Sequence, residues 1–310
     1  MKTSLKAIFA MLCVAAWMSP ALCRGQQKDL VQYVNTLQGT HSNFGLSHGN
    51  TFPATAMPYA QHMWTPQTGP NGEGFKYLYD ADEIRGFGQS HQCSPWVSDY
   101  AVYTFFPEVG SLVVDPDKRG AKFSHANEEG HPHYYTVKFD NGIRTEFSTT
   151  DRGVHFRFSY PKTGDAYLVI DGYTDRSEIT IDPEKRQVRG WVNNHRFVNH
   201  SENFRNYFVI QFDTKFEDFG IWEGEGKQTF PKQTSGQGKR YGAYLKFKKG
   251  AKVQAKAASS YITPEQAAVT LKMELGADKN LETTKARGFK RWNELLNRVG
   301  VEGGTDEQIR

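Results

Sequence analysis

The chain has 310 residues, of which 38% are hydrophobic and 14% aromatic, with a formal net charge of +4 at pH 7. This length can bury a large core as one domain or two, and the apolar fraction excludes a disordered chain. Basic residues are scattered along the sequence, so the charge gives no basis for a nucleic-acid partner. We therefore predict a globular protein with an aromatic-rich core and no nucleic-acid ligand.

The first 23 residues have the pattern of a secretory signal peptide. Lys2 and Lys6 precede an apolar run over residues 7–17, and small residues lead to a cleavage point after Cys23. No stretch reaches the roughly 20 apolar residues that a spanning helix requires. We predict an exported protein, periplasmic or secreted, without a membrane span. A lipoprotein anchored at Cys23 is the alternative, but Leu22 is a poor fit to the small residue that such processing favours.

Removal of this leader would leave Cys93 as the one cysteine certain to remain, which excludes an internal disulfide. Cys93 is interpreted as a small buried hydrophobe rather than a nucleophile, because the sequence places no base beside it. The exported domain is therefore predicted to be held together by its core.

The part after the leader opens with a predicted short helix and a long loop. Leu30, Val34 and Leu37 recur at helical spacing, and Gly39 follows as a stop signal. Residues 40–74 are rich in glycine, proline and aromatic residues, which indicates a loop. Loops of this length are often functional, and an irregular cover over one sheet edge is the alternative.

The segment 82–107 divides into a predicted loop and a predicted strand. Residues 82–100 show no helical or strand period and include His, Cys, Trp and Asp, whereas residues 101–107 alternate aromatic and small side chains. A polar loop with one large indole that leads into a sheet is typical of a ligand platform.

Short strands with close turns are predicted from residue 111 to residue 261. Their ranges are 111–115, 134–139, 144–147, 154–160, 166–170, 178–181, 187–192, 207–212, 215–222, 241–247 and 253–261. Asn141-Gly142 between two of these runs is a strong hairpin signal, and residues 224–242 are predicted to be an exposed excursion. Many strands without intervening helices indicate antiparallel sheets stacked as a sandwich.

Two helices are predicted after the strands. The first starts at Pro264, capped by Thr263, and ends at Gly276. The second covers about residues 281–299 and carries an apolar face that must be buried against something. The predicted apolar faces are Ala268, Leu271 and Leu275 on the first helix, and Phe289, Trp292, Leu295, Leu296 and Val299 on the second.

Several short motifs are distinctive in combination. They are Gly49-Asn50-Thr51-Phe52-Pro53 with Met57-Pro58; Ile84-Arg85-Gly86-Phe87; Ser90-His91-Gln92 and Ser94-Pro95-Trp96 up to Asp99-Tyr100; Phe123-Ser124-His125 up to Glu128 with Tyr134-Tyr135; Trp292-Asn293-Glu294-Leu295-Leu296; and Glu302-Gly303-Gly304-Thr305. In this order they resemble the N-terminal part of glycoside hydrolase family 92, the exo-acting α-mannosidases. The resemblance covers most of the chain after the leader.

The resemblance implies a mainly β fold over residues 24–262, an antiparallel β-sandwich of the galactose-mutarotase-like supersandwich kind. Residues 263–310 would then be two linker α-helices and the start of an (α/α) barrel domain that the chain lacks. Family members depend on calcium and hydrolyse α-mannosides with inversion, which requires a carboxylic acid and a carboxylate base. Because the family takes both from the barrel, no catalytic residue is expected before Arg310, and calcium is expected mainly in the barrel.

We assign His91, Ser94, Trp96 and Asp99 as the sandwich's share of a mannose pocket, because the resemblance puts Asp99 beside the sugar-facing loop. An indole covers the apolar side of a sugar ring, while Asp and His bond vicinal hydroxyls. The alternative for Trp96 is an aromatic residue of the core or of a domain interface. Nearby charges at residues 80–83 are interpreted as solvated loop charges rather than metal ligands.

Two functions remain open at this point. One is the N-terminal portion of a secreted α-mannosidase that acts on mannose-containing glycans and is inactive alone. The other is a stand-alone carbohydrate-binding sandwich without hydrolytic activity. The apolar face with Phe289 and Trp292 favours the first, because a finished binding module needs no uncovered face. It also predicts poor solubility or self-association through residues 264–299.

Overall fold

The structure, a computed structural model, describes residues 29–69, 74–92, 94–96, 99–172, 176–193, 203–224, 227–300 and 303–309. The predicted signal peptide and Cys93 lie outside the described residues. Within these ranges the chain is mostly strand, with helices near its C-terminal end. None of the described helices has the length and apolar content of a membrane-spanning segment.

The strands are β1 (Met63–Gln67), β2 (Glu83–Ile84), β3 (Gly86–Ser90), β4 (Thr104–Val109), β5 (Ala121–His131), β6 (Tyr134–Phe139), β7 (Arg144–Thr149), β8 (Gly153–Ser159), β9 (Ala166–Asp171), β10 (Arg176–Asp182), β11 (Gln187–Val192), β12 (Asn206–Phe212), β13 (Asp218–Glu223), β14 (Gln228–Pro231), β15 (Ser235–Lys239), β16 (Tyr241–Phe247) and β17 (Lys252–Ser260). The α-helices are α1 (Pro264–Leu275), α2 (Leu281–Leu296) and α3 (Asp306–Ile309).

In the described residues, these strands form two antiparallel sheets. One has seven strands in the order β1-β3-β4-β9-β16-β13-β14. The other has ten, in the order β15-β10-β11-β12-β17-β8-β7-β6-β5-β2. The predicted fold class, an antiparallel β-sandwich followed by helices, is confirmed.

Aromatic side chains fill the space between the sheets. The rings of Trp64 and Phe105 stack with centroids 5.5 Å apart in the seven-stranded sheet. Both meet Phe156 of the ten-stranded sheet edge-on, at 5.2 and 5.1 Å. Such offset and edge-on contacts are the favoured geometries of aromatic pairs, and each large ring buries much apolar surface. The core is therefore as aromatic as the composition predicts.

The predicted hairpin between β6 and β7 is present at Asn141-Gly142. Gly142 has a φ of +90°, a region that side chains disfavour and glycine adopts freely. Asn141 Oδ1 accepts a hydrogen bond from Ile143 N at 3.1 Å, which closes the turn. This turn sets the register in which Tyr135 pairs with Phe147.

Helix α1 begins as predicted. Thr263 Oγ1 accepts a hydrogen bond from Gln266 N at 3.1 Å, and Pro264 occupies the first turn. The face that meets the sheet differs from the prediction by one position, since Ala268 is exposed and Leu271 is half-buried. Its buried residues are Ala267, Thr270 and Leu275.

Helix α2 is also present, but most of its predicted apolar face is half-buried. It packs on β7 and β8 and on the N-terminal segment. Trp292 Nε1 donates to Ala56 O at 2.7 Å, and Phe289 meets the His133 ring edge-on at 5.5 Å. Val299 lies beyond the end of the helix and is 71% exposed. The argument that this helix carries an uncovered face was therefore wrong for Phe289 and Trp292.

The predicted N-terminal helix is a single 3₁₀ turn, Val31–Tyr33. It stops because Val34 is extended, with φ −87° and ψ 111°. The backbone groups of this segment bond elsewhere: Leu30 N donates to Asn293 Oδ1 at 2.8 Å, and Thr36 N to Gly130 O at 3.4 Å. Tertiary contacts thus replace the helical bonds that the spacing predicts.

Several strand predictions were also wrong. Residues 111–115 form no strand, and their Leu112 and Val114 pack with Val169 and Trp222 in a small apolar cluster. The strand predicted from residue 101 starts only at Thr104. The segments interpreted as loops over residues 40–74 and 82–100 contain β1, β2 and β3. The excursion predicted over residues 224–242 contains β14 and β15, whose residues are exposed or half-buried.

Local reasons explain the missed strands. β3 is rich in glycine because β1 approaches it closely: a Cβ at Gly88 would lie 2.3 Å from Gln67 Nε2. β14 and β15 are the outer strands of their sheets, so polar side chains are tolerated there. β5 has an irregular register between Phe123 and Glu128, which breaks the alternation of apolar residues.

Candidate functional site

The four predicted site residues lie in the connection between β3 and β4. Buried amide side chains fix both of its ends to the opposite sheet. Gln89 Nε2, at the end of β3, donates to Ser259 Oγ at 2.8 Å. Asn206 Nδ2 donates to Gln89 Oε1 at 2.6 Å and to Ala101 O at 2.9 Å. The connection therefore starts and ends on a rigid part of the sandwich.

Asp99 is buried beneath this connection and is 6% exposed. One carboxylate oxygen, Oδ1, accepts from His91 N at 3.1 Å and from Tyr100 N at 2.8 Å. The other, Oδ2, lies 2.8 Å from Lys76 Nζ. Burial alone would raise the pKa of Asp99, but Lys76 and then His91 outweigh it and hold that pKa far below its usual range. Asp99 is therefore ionised.

The imidazole of His91 is equally enclosed, with a side chain that is 4% exposed. Its Nδ1 lies 3.1 Å from the carbonyl oxygen of Tyr100, which can only accept. Its Nε2 lies 2.6 Å from the hydroxyl of Tyr261. Burial raises the pKa of Tyr261, so this hydroxyl keeps its proton and donates. The Nδ1–H tautomer of His91 satisfies both contacts.

Trp96 lies on the outside of the same connection and is 63% exposed. Its Nε1 donates to Ser47 Oγ at 3.0 Å. Its ring meets the edges of Phe44 and Phe75, with centroids 6.2 and 5.7 Å away. Phe44 is itself 64% exposed. An indole held at its edges and open to solvent presents a surface for flat apolar ligands.

The structure thus brings all four predicted residues together but separates them by depth. Trp96 and the half-buried Ser94 form the outer layer. His91 and Asp99 form the inner layer, where their polar atoms already have partners. This depth favours a supporting role for His91 and Asp99 over direct bonding to a ligand. Contact with a ligand stays a prediction for all four.

Lys76, Ser47 and Tyr261 belong to this site and were missed in the sequence. The sequence gives little indication that Lys76 is buried, because a lysine between two aromatic residues is usually interpreted as exposed. Ser47 lies in the 3₁₀ segment Phe44–Asn50 and has a φ of 53°, a left-handed conformation that nothing in its own type predicts. Tyr261 follows β17, 170 positions from His91.

The motif from Phe123 to Glu128 forms a second polar cluster. Glu128 accepts from Tyr77 Oη at 2.8 Å and from Tyr135 Oη at 2.5 Å. His125 Nδ1 lies 2.7 Å from the same carboxylate, and its Nε2 lies 2.7 Å from Tyr79 O. Every group faces a partner within the protein, so this cluster is structural and anchors residues 77–79.

The acidic residues Asp80, Asp82 and Glu83 each lie near a different basic side chain. Asp80 lies 3.2 Å from His41, Asp82 lies 3.7 Å from Lys122, and Glu83 lies 3.5 Å from Arg85. No three His, Cys, Asp or Glu side chains of the described residues are grouped as metal ligands. Each of these carboxylates thus faces a different side chain, and the expectation for calcium stays a prediction.

The fold and this site define a β-sandwich domain with an exposed aromatic loop. The family model of the glycosyl hydrolase family 92 N-terminal domain matches residues 33–260. The chain belongs to this family.

Solved structures and a curated relative are similar over most of the chain. The family GH92 inverting mannosidase of Bacteroides thetaiotaomicron VPI-5482 is 42% identical, with a TM-score of 0.85 over 90% of this chain. A family GH92 alpha-mannosidase of Bacteroides thetaiotaomicron is 22% identical, with a TM-score of 0.74 over 89%. An uncharacterized secreted glycosidase of Arthroderma benhamiae is 22% identical over 89%. The chain spans 38%, 39% and 39% of their respective lengths.

Proposed function

We propose that this chain is the N-terminal portion of an exported, calcium-dependent, inverting α-mannosidase that acts on mannose-containing glycans. Membership of family 92 and the similarity to an inverting mannosidase support this proposal. The catalytic acid and base and the calcium ligands are placed outside the described residues. Within the chain, the connection that carries Trp96 contributes part of the mannose-binding pocket.

The exposure of Trp96 is the observation that supports this pocket. The apolar C–H face of a mannose ring packs on an indole. The hydrogen bond to Ser47 and the ring contact with Phe75 hold the Trp96 indole in place. The hydroxyl of Ser94 accepts from the backbone N of Trp96 at 3.3 Å, and Ser94 is half-buried. An apolar plate with a few polar groups at its rim is typical of sugar-binding surfaces.

Binding of methyl α-mannopyranoside to the 310-residue chain tests the pocket directly. We expect a saturation-transfer NMR signal that is lost in Trp96→Ala, because the variant removes the surface on which the sugar lies. The unfolding temperature should be nearly unchanged, since Trp96 is mostly exposed. Tyr59→Ala, which removes another exposed ring, is the matched control and should keep the signal. Equal signals from Trp96→Ala and the unaltered chain would exclude the pocket role.

The reaction itself is tested on the native exported protein. We expect hydrolysis of an α-mannoside to release β-mannose first, as ¹H NMR of the fresh product shows, because inversion changes the anomeric configuration. Removal of calcium with EGTA should abolish hydrolysis, and added calcium should restore it. First release of α-mannose, or full activity in EGTA, would contradict the proposal. Binding without any hydrolysis would support the stand-alone binding module instead.

A further inference from the structure

Lys76 is an unusual residue for its position. It is 2% exposed, whereas lysines are almost never fully buried unless they are paired. Its Nζ lies 2.8 Å from Asp99 Oδ2, and the two side chains are 1% and 3% exposed. Replacing a buried ion pair by apolar groups often leaves the free energy of unfolding unchanged. The presence of such a pair therefore needs an explanation other than stability, such as the selection of one conformation.

The carboxylate of Asp99 closes the connection on itself. Because Asp99 Oδ1 accepts from both His91 N and Tyr100 N, it holds the two ends of residues 91–100 together. Trp96 lies between His91 and Tyr100 in the sequence. A change in the charge or direction of the Asp99 carboxylate would therefore alter the loop on which Trp96 is mounted.

The segment that carries Lys76 also touches Trp96 directly. Lys76 points to Asp99 inside, while its neighbour Phe75 meets the Trp96 ring at 5.7 Å. The preceding Gly74 O accepts from Gln92 Nε2 at 2.7 Å. A Cβ at Gly74 would lie 2.6 Å from Pro95 O, so segment and loop are in close backbone contact. Residues 74–76 therefore contact the loop both at the buried Asp99 and at the exposed Trp96.

We propose that Lys76 is a positioning residue, which acts through its ion pair with Asp99 to fix the orientation of Trp96 on the outer surface. The consequence for sugar binding rests on the proposed function. The positioning itself does not, because the orientation of Trp96 is measurable without a ligand.

The test uses the indole N–H resonances of the 310-residue chain in ¹H–¹⁵N spectra, with Trp96 assigned from Trp96→Phe. In Lys76→Met and in Asp99→Asn we expect the Trp96 resonance to shift or broaden, while that of the fully buried Trp64 stays in place. Affinity for methyl α-mannopyranoside should fall about tenfold or more, equivalent to about 1.4 kcal/mol.

A matched control separates positioning from general loss of stability. Arg119 is also 2% exposed and pairs with Asp171 at 2.7 Å, so this pair lies outside residues 91–100. Arg119→Met should lower stability without moving the Trp96 resonance. An unchanged Trp96 resonance in Lys76→Met, or an equal change in Arg119→Met, would overturn the proposal.

If either single variant fails to fold, the double variant Lys76→Met/Asp99→Asn carries the test, since it leaves no unpaired buried charge. Its Trp96 resonance should be altered about as much as in a folded single variant, and a wild-type resonance would overturn the proposal.

The pocket proposal and the positioning proposal are contradicted by different results. A moved indole with unchanged mannoside affinity would contradict the pocket, whereas loss of binding in Trp96→Ala with an unmoved indole in Lys76→Met would contradict the positioning.

Discussion

Glu108 in β4 is a buried carboxyl group whose ionisation opposes folding. It is 6% exposed, and burial raises its pKa to about 7 despite a hydrogen bond from Val113 N and the nearby charge of Arg119. Its ordinary pKa is 4.5. Between these two values the unfolded chain loses the proton while the folded chain keeps it. The contribution of Glu108 to stability is therefore full below pH 4.5 and is lost as the pH rises to about 7.

We predict that Glu108→Gln removes this dependence. At pH 4.5 the variant and the unaltered chain should have similar free energies of unfolding, because Gln resembles the protonated acid. Above pH 7 the variant should be more stable by about 3 kcal/mol, from the shift at about 1.4 kcal/mol per pKa unit. Urea unfolding at several pH values measures the difference. A difference that stays constant with pH would contradict the prediction.

Single residues also mark the limit of the sequence analysis at the site. The family resemblance, together with residue types in an aperiodic segment, led to the prediction of His91, Ser94, Trp96 and Asp99, and the structure places all four in one loop. Their depth was not predictable, because it is set by groups distant in sequence. The His91 ring is enclosed by Tyr261, 170 positions away. The periodicity of apolar residues along the sequence does not predict such a contact.

At the level of elements, prediction succeeded where a segment's own pattern decides its structure. The bounds predicted for β11 and β16 agree with the structure, and so does the cap of α1. Prediction failed where the structure of a segment depends on the other elements that it contacts. β3 exists because β1 and β4 supply its hydrogen bonds, and the N-terminal segment is not helical because α2 and β5 bind it.

The two helices on the ten-stranded sheet are joined to it by buried polar contacts as well as by packing. Thr284 of α2 is fully buried, and its Oγ1 donates to Asp278 Oδ2 at 2.7 Å. The same oxygen accepts from His155 Nδ1 of β8 at 2.8 Å. Burial lowers the pKa of His155 to about 4, so this ring is neutral at pH 7. One hydroxyl therefore joins helix, loop and sheet.

Over the whole molecule, these contacts pack the helices closely against the sandwich. Glu282 at the start of α2 pairs with Arg157 of β8, and Arg157 also binds Glu146 of β7 at 2.8 Å. Near the other end of α2, Trp292 binds Ala56 and Asn293 binds Leu30. The N-terminal segment, the sheet and α2 therefore support one another, and we expect them to unfold together.

The variant Thr284→Val tests this expectation, because it keeps the shape of the side chain and removes the hydroxyl. His155 and Asp278 would each lose a partner in a buried place, which should lower the free energy of unfolding by about 1–3 kcal/mol. Thr283→Val on the exposed side of α2 is the matched control. It should cost less than Thr284→Val, because the hydrogen bond from Thr283 Oγ1 to Asn280 Oδ1 is exposed to water. In urea, tryptophan fluorescence and far-ultraviolet circular dichroism should show one shared transition that moves to lower urea in Thr284→Val. A helical signal lost before the fluorescence change would mean that α2 detaches while the sandwich stays folded, and it would contradict a single cooperative domain.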